Sequence, residues 1–589
     1  MKFRLLLSAI LVLCLTRQVE ASPLLIEAEG FSDLGGWVVD QQFMDQMGSP
    51  YLLAHGLGEP VADATTEVAF PARGKYRLWV RTKDWVAPWK VQGAPGTFQV
   101  VIGDKIVPVL FGVEGADWHW QDGGAVEIAG TKCLVKLHDL TGFEGRCDAL
   151  LFSPDLAYVP PADRKSMTSM KTASDVGCFD LVVVGGGIAG SCAAVKAARL
   201  GLTVALVQDR PVLGGNGSSE VRVWPEGEIK LQPYPHVGEI VAELVPKKKA
   251  GTGNARDGQI YADEQKMAVV RAETNITLFL NYRVNKVEAD KKSLRAVLGD
   301  DIRSGKRIRV RGRWFADCTG DGAVGFLSGA DYEMTPTRHM GSSNLWNLKD
   351  AGAPESFPRC SWALDMSKVK FPGRPAAGAP AGKPMLSSLG GWFWESGFDR
   401  DPVADMELVR DLNLRAMYGA WDTLKNVDGL YPNYKLNWAA YIAGKRESRR
   451  LLGDVILSGD DFRNAQQFPD GCFPCSWDID LHLPNAKYQK GFEGNEFISA
   501  ASFGGYPKPY WVPYRCLYSR NVTNLFMAGR DISVTHEALG PVRVMRTCGM
   551  MGEVVGMAAS LCKKHDATPR IVYEKYLDEL KELLRGGGK

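Results

Sequence analysis

Phe179-Asp180-Leu181-Val182-Val183-Val184-Gly185-Gly186-Gly187-Ile188-Ala189-Gly190 decides how this chain is read. A largely apolar run ends at a glycine turn, and Ser191 to Leu200 then carries helical spacing, so the order is strand, turn, helix. Each glycine has its own reason: Gly185 permits the tight turn, Gly187 lets a pyrophosphate approach the backbone, and Gly190 lets the helix lie close to the strand. Ile188 and Ala189 open the helix, whose N–H groups and positive dipole favour an anion. The pattern continues through Ala194, Gly201 and a second strand, Thr203 to Val207, to Gln208. The segment predicts an α/β domain that binds a dinucleotide. Gln208 stands where an acidic residue usually meets the ribose, and an amide can both donate to and accept from ribose hydroxyls. Asp209 is the next candidate, although strand alternation turns it away from the site.

Leu213-Gly214-Gly215-Asn216-Gly217-Ser218-Ser219 resembles the second glycine loop of glutathione-reductase-type flavoproteins. That resemblance implies FAD rather than NAD, with Gly214, Gly215, Asn216, Ser218 and Ser219 on the flavin side of the cofactor. Ala316-Asp317-Cys318-Thr319-Gly320-Asp321-Gly322 is similar to a later segment of the same group and adds Thr319 and Gly320. Asn524 to Asp531 adds Gly529, Arg530 and Asp531; in such enzymes the acidic residue binds the ribityl chain or pyrophosphate region. With Gly444-Lys445-Arg446-Glu447-Ser448-Arg449-Arg450 and Thr535-His536-Glu537-Ala538-Leu539-Gly540, the chain resembles a family of bacterial FAD-dependent oxidoreductases over residues 176 to about 562. The resemblance implies a Rossmann-type FAD-binding domain, with Gly540 and Val542 as further cofactor contacts. Members often carry an export signal and a front β-domain, and the family sets no substrate. No second G-x-G-x-x-G follows another strand, since Gly251-Thr252-Gly253 sits in a loop. Electrons should therefore arrive from a substrate and leave to a separate acceptor.

The chain has 589 residues, enough for two or three domains. Apolar residues at 45% and charged residues at 23% indicate a folded protein. With 70 basic and 68 acidic residues and no long basic tract, nucleic acid is excluded as a partner. Lys2 and Arg4 precede the apolar run Leu5 to Leu15, and Val19-Glu20-Ala21 offers a cleavage site before Ser22. Residues 1–21 read as a secretory signal peptide, too short to span a bilayer, which points to the bacterial periplasm or beyond. Thr547 to Cys562 is interrupted by Glu553 and ended by Lys563 and Lys564, so no membrane span is expected. The sequon Asn216-Gly217-Ser218 falls inside the cofactor loop, where a glycan would obstruct binding; this also favours bacterial export. Removing Cys14 from the 12 cysteines leaves an odd number. Cys472-Phe473-Pro474-Cys475 has no second pair to complete a zinc or iron–sulfur site, so no metal is expected and a disulfide or an inert loop is favoured.

Residues 22–155 alternate in short runs between Gly, Pro and Asp turns and predict an all-β sandwich, loosely like the jelly-roll modules of carbohydrate-active enzymes. Trp85, Trp89, Trp118 and Trp120 either stack on sugar rings or fill a core or interdomain contact. Residues 156–175 read as a linker. The FAD-binding domain occupies 176–344 and 508–562, interrupted by 345–507, an inserted α+β substrate domain rich in Trp, Tyr and Pro. A helix-period apolar stripe marks 563–589 as a C-terminal helix.

Oxidation of an alcohol by flavin needs a base for the hydroxyl proton and positive charge near the ring. His536, on the loop leading to a helix that begins near Val542, is the candidate base; the alternative is a histidine that only bonds cofactor or backbone. Glu537 is a weaker substitute. Gly549, Gly552 and Gly556 mark a helix pressed against the cofactor, or a structural glycine face. Arg543 and Arg546, in its first turns, oppose the dipole and call for an anionic partner. Arg446 and Arg222 are the other catalytic candidates. The sequence thus predicts an exported FAD enzyme oxidising a carbohydrate or related polar alcohol, its substrate a small molecule or a glycan. The alternatives are a reductase of an activated C=C bond and a glycan-binding protein whose FAD is not catalytic.

Overall fold

Leu181 to Val184 are buried on both sides, as a β-branched run in a covered parallel sheet must be. They end the central strand of a seven-stranded sheet: β1 (Ser174–Val184), β2 (Val204–Gln208), β3 (Ile276–Leu280), β4 (Tyr282–Asp290), β5 (Ser293–Asp301), β6 (Arg307–Asp317) and β7 (Leu525–Met527). The order is β3-β2-β1-β6-β5-β4, with β7 on the upper end of β6. Pairs among β3, β2, β1, β6 and β7 are parallel, whereas β4, β5 and β6 pair antiparallel. This computed structural model describes residues 22–167, 172–246, 255–376 and 386–587; the expected signal segment, Gly251-Thr252-Gly253 and part of the expected linker lie outside them. No helix among the described residues is long and apolar enough to cross a membrane.

Four helices matter for the site: α1 (Ile188–Arg199), α2 (Met406–Asp422), α3 (Met545–His565) and α4 (Pro569–Leu584). The glycine face of α3 serves α1 and its neighbours. A Cβ on Gly552 would lie 2.0 Å from Ala189 O, and one on Gly556 would lie 2.9 Å from Ala193 O. The helix is therefore pressed mainly against another helix, and only its start, Met545 and Cys548, reaches the nucleotide groove. Helix α4 buries Val572, Leu580 and Leu584 on the same core.

The 345–507 stretch does not behave as one inserted unit. Trp346, Trp362, Trp394, Tyr418, Trp421 and Phe497 share a separate core, but Leu451, Leu457, Phe462, Phe473 and Ile479 pack into the core of the main sheet. The reason is pairing: strand Gly471–Cys475 runs antiparallel to Tyr510–Pro513, which leads back to β7. Cys472 and Cys475 thus sit in a strand, not a loop. Their thiols are free, and burial pushes both up, Cys475 to about 11. Neither a disulfide nor a reactive dithiol is present there.

Residues 24–153 form two four-stranded antiparallel sheets and a three-stranded one (Val38–Asp40, Tyr51–Ala54 and Gly145–Cys147), and the two larger sheets contribute to one core that includes Leu78, Phe98, Val135 and Phe152. A different face of this domain is built for α2. Trp85 is fully buried against Trp362, Trp89 donates to Asn495 and lies under Arg415, and Trp118 donates to Glu407. These three are interdomain aromatics. Arg164, in the expected linker, is buried and ion-paired with Glu27 and Asp148, so that part of the segment is packed. A fragment of residues 22–155 is expected to be insoluble or to bind hydrophobic dyes, because Tyr51, Trp85 and Phe143 lose their cover. A soluble fragment with a cooperative melt would count against this.

Candidate active site and cofactor groove

The turn after β1 is built as its glycines require. Gly185 has φ +102°, and a Cβ there would meet Cys318 O at 2.3 Å; one on Gly190 would meet Gly185 O at 1.9 Å. Gly187 differs, since its Cβ would find only the Gly215 Cα, at 4.0 Å. That open space lies on a groove lined by Gly185, Gly187, Ile188, Ala189, Gln208, Asp209, Gly214, Gly215, Asn216, Thr319, Gly320, Gly529 and Arg530. The first turn of α1 contains no acidic residue, leaving its N–H groups to an anion. A pyrophosphate fits this cradle.

Several expected contacts lie elsewhere. The Ser218 hydroxyl turns back to Gly215 O at 2.7 Å, and Ser219 gives its N–H to Asp263. Gly190 packs α1 on the strand rather than facing the groove. Gly540 is pressed on strand Ile479–Pro484, where a Cβ would lie 2.7 Å from Asp480 N, and Val542 is buried in the core. Asp531 is fully buried, and burial together with Asp317 pushes its carboxyl well up. Its neighbour Arg530 takes the lining position, over Gly320, whose missing Cβ leaves room for the guanidinium. Asp321 joins Lys445 (2.7 Å) and Arg530 (3.3 Å); burial would raise its carboxyl, but these two cations outweigh burial and hold it well below the usual range.

A second cavity, of about 1060 Å³, opens from the groove and shares Asn216, Lys445, Arg530, Arg543 and Met545 with it. Its walls alternate aromatic and polar groups, among them Trp224, Trp392, Tyr434, Trp477, Asn347 and Asn437. Arg222 and Arg446 both line it. Arg222 lies 3.8 Å over the Trp438 ring, and burial lowers its pKa. Arg446 donates to Ser343 Oγ (3.1 Å) and Trp392 O (2.7 Å).

His536 lines neither cavity. Its Nδ1 bonds Glu447 at 2.8 Å, and Glu447 also takes Arg450, Thr335 and the Met340 N–H. The expectation that it faces the flavin is corrected: Glu447 draws the ring into a structural network. The histidine on the cavity is His482. Strand Ile479–Pro484 places Asp480 and His482 on one face, two residues apart. His482 Nδ1 lies 2.8 Å from Glu395 and Nε2 lies 3.2 Å from Asp480, which also meets Arg543 at 3.1 Å. Burial would raise both carboxyls. For Glu395 the charges of Arg446 and His482 outweigh it, and for Asp480 those of His482 and Arg543 do, holding each at about 2. The alternation Asp480-Leu481-His482 was visible in the sequence as a polar face on a strand; Glu395, which comes from a distant tryptophan-rich turn, was not.

A glycine cradle at a helix start, joined to a polar cavity rimmed by cations, fits a dinucleotide with a second molecule beside it. The chain belongs to the FAD dependent oxidoreductase family, whose model matches residues 180–377 and 392–584. Among solved structures, it is similar to glycerol-3-phosphate dehydrogenase from Bacillus halodurans complexed with FAD, at 13% identity over 30% of this chain and 41% of that one, TM-score 0.22. A geranylgeranyl bacteriochlorophyll reductase-like protein from Thermoplasma acidophilum matches at 12% identity over 70% and 84%, TM-score 0.33. Quinol fumarate reductase FrdA from E. coli matches at 11% identity over 70% and 75%, TM-score 0.30. The chain spans less than half the length of the dehydrogenase, and 36% of a flavin-dependent monooxygenase, PieE. No curated protein matches the chain significantly.

Proposed function

We propose that this enzyme oxidises a carbohydrate or a related polar alcohol, and that it works outside the cytoplasm once residues 1–21 are removed. The observation that carries the reading is the cavity of about 1060 Å³, continuous with the cofactor groove and lined by both aromatic faces and hydrogen-bonding groups. Such walls suit rings that are apolar on their faces and hydroxylated at their edges. FAD, when bound, supplies the hydride acceptor. The Gly187 turn and the start of α1 would hold the pyrophosphate, and Lys445, Arg530 and Arg543 would supply positive charge to offset that gained on reduction.

Asp480 and His482 receive the proton. A substrate hydroxyl beside them would lose its proton to the pair while the neighbouring C–H is given up as hydride and the C=O bond forms. Glu395, 2.8 Å from Nδ1, fixes the orientation of the ring. A separate electron acceptor would be needed to complete the turnover. The cationic wall of Arg222, Arg446, Arg530 and Arg543 also favours a carboxylate, which suits the opposite chemistry, reduction of an activated C=C bond.

Anaerobic flavin reduction by a panel of glycosides, set against reoxidation of reduced enzyme by unsaturated acids, separates the two. Bleaching by a glycoside supports the proposal; reoxidation by an unsaturated acid with no bleaching overturns it. His482→Ala is expected to keep FAD and slow flavin reduction about 100-fold or more, the scale of losing a positioned acid–base group. His536→Ala is expected to leave that step within about threefold. The reverse ranking, in stopped-flow traces, would return the role to His536.

A further inference from the structure

Gln208 uses both ends of its amide on the backbone: Oε1 accepts from the Gly186 N–H at 2.8 Å, and Nε2 donates to Val212 O at 3.0 Å. The residue at the usual ribose position is thereby tied into the glycine turn. What the groove offers in its place comes from another domain. Gln41 and Gln42, from the N-terminal β-domain, line the groove with Asp209, Tyr282 and Arg283.

Gln41 is 3% exposed, and its side-chain amide takes no hydrogen bond among the described residues. The residue as a whole is nearly covered, but its amide atoms open onto the groove, where a ligand can meet them. Gln42 acts as a strap. Its Oε1 accepts from the Ala443 N–H at 2.8 Å and its Nε2 donates to Tyr441 O at 3.0 Å, fixing the segment whose Ile442 and Ala443 also line the groove. Arg283 bridges the two domains, 2.9 Å from Asp209 and 2.8 Å from Asp45. The flavin belongs at the end shared with the substrate cavity, so the end of β2, beside these residues, takes the adenosine.

We infer that the N-terminal domain completes the adenosine half of the FAD site, with Gln41 as a direct contact and Asp45 as a positioning residue acting through Arg283. The amide both donates and accepts, which matches ribose hydroxyls or an adenine edge. Cofactor retention then depends on a domain outside the nucleotide fold, and this explains how Gln208 can be given over to the turn.

The test is calorimetric titration of the full-length apoprotein with FAD and with FMN, which lacks the adenylate half. Gln41→Leu is expected to weaken FAD about tenfold, the loss of a buried hydrogen-bonded contact, and to leave FMN unchanged. Asp45→Asn changes a side chain that is 44% exposed and takes the charge out of its contact with Arg283; it is expected to weaken FAD roughly threefold, again without effect on FMN. Unchanged FAD affinity in Gln41→Leu overturns the inference. So does an equal loss for FAD and FMN, and unchanged FAD affinity in Asp45→Asn removes the role given to that residue.

Discussion

Arg146→Ala is expected to cost about 3–5 kcal/mol, the scale on which a buried ion loses its partner. Arg146 and Arg410 are both fully buried between the N-terminal domain and α2. Arg146 meets Asp411 at 2.6 Å and Glu407 at 2.8 Å, while Arg410 meets Asp40 and Asp411, each at 2.7 Å. Lys83 adds a third cation, 3.3 Å from Glu407. Three cations thus face three carboxylates. Burial would raise the Glu407 carboxyl, but Lys83, Arg146 and Arg410 outweigh it and hold it well below the usual range. Removing Arg146 leaves one uncompensated negative charge in a largely buried cluster. A lower melting temperature and faster proteolysis between the domains are the readouts. Arg146→Met combined with Asp411→Leu removes a charge of each sign and is expected to cost less than Arg146→Ala alone. If the double variant is the worse one, net charge is not what matters at this contact.

This network shows where the sequence stopped being informative. The glycine turn, the parallel strands beside it and the later glycine segments were legible because each rests on local backbone demands: a positive φ at Gly185, close packing at Gly190, open space at Gly187. Arg146 and Asp411 are unremarkable in the chain, and only the docked domains bring them together. The same limit explains His536. Its place after Asp531 was read as proximity to the flavin, but Glu447, a residue far away in sequence, competes for the ring and wins with a 2.8 Å contact. Asp480 and His482 do not stand out in the sequence although their strand alternation is present, because nothing local distinguishes a polar face on a cavity from one on solvent. The tryptophans of the front domain carried the same ambiguity; burial resolves Trp85 as an interdomain residue. The three glycines of α3 likewise fixed a close approach without saying to what.

Gly187→Val is expected to abolish FAD retention while leaving the fold intact, and the contrast with its neighbour in the motif is the reason. At Gly187 the backbone has φ −63°, which any residue adopts, and an added Cβ meets nothing closer than 4.0 Å. The valine methyls therefore occupy the groove rather than displace protein, and they take the space a pyrophosphate needs against the helix start. At Gly190 an added Cβ would lie 1.9 Å from Gly185 O, so Gly190→Val must move α1 off the strand. Purified Gly187→Val should be colourless, with the circular dichroism and melting temperature of the apoprotein. Gly190→Val should lose both cofactor and stability, by more than the roughly 1–3 kcal/mol of ordinary overpacking, since backbone rather than a movable side chain blocks it. Flavin bound to Gly187→Val at the parent level would place the pyrophosphate elsewhere. A Gly187→Val protein that melts as early as Gly190→Val would show that the open space seen beside Gly187 belongs to the fold and not to the cofactor.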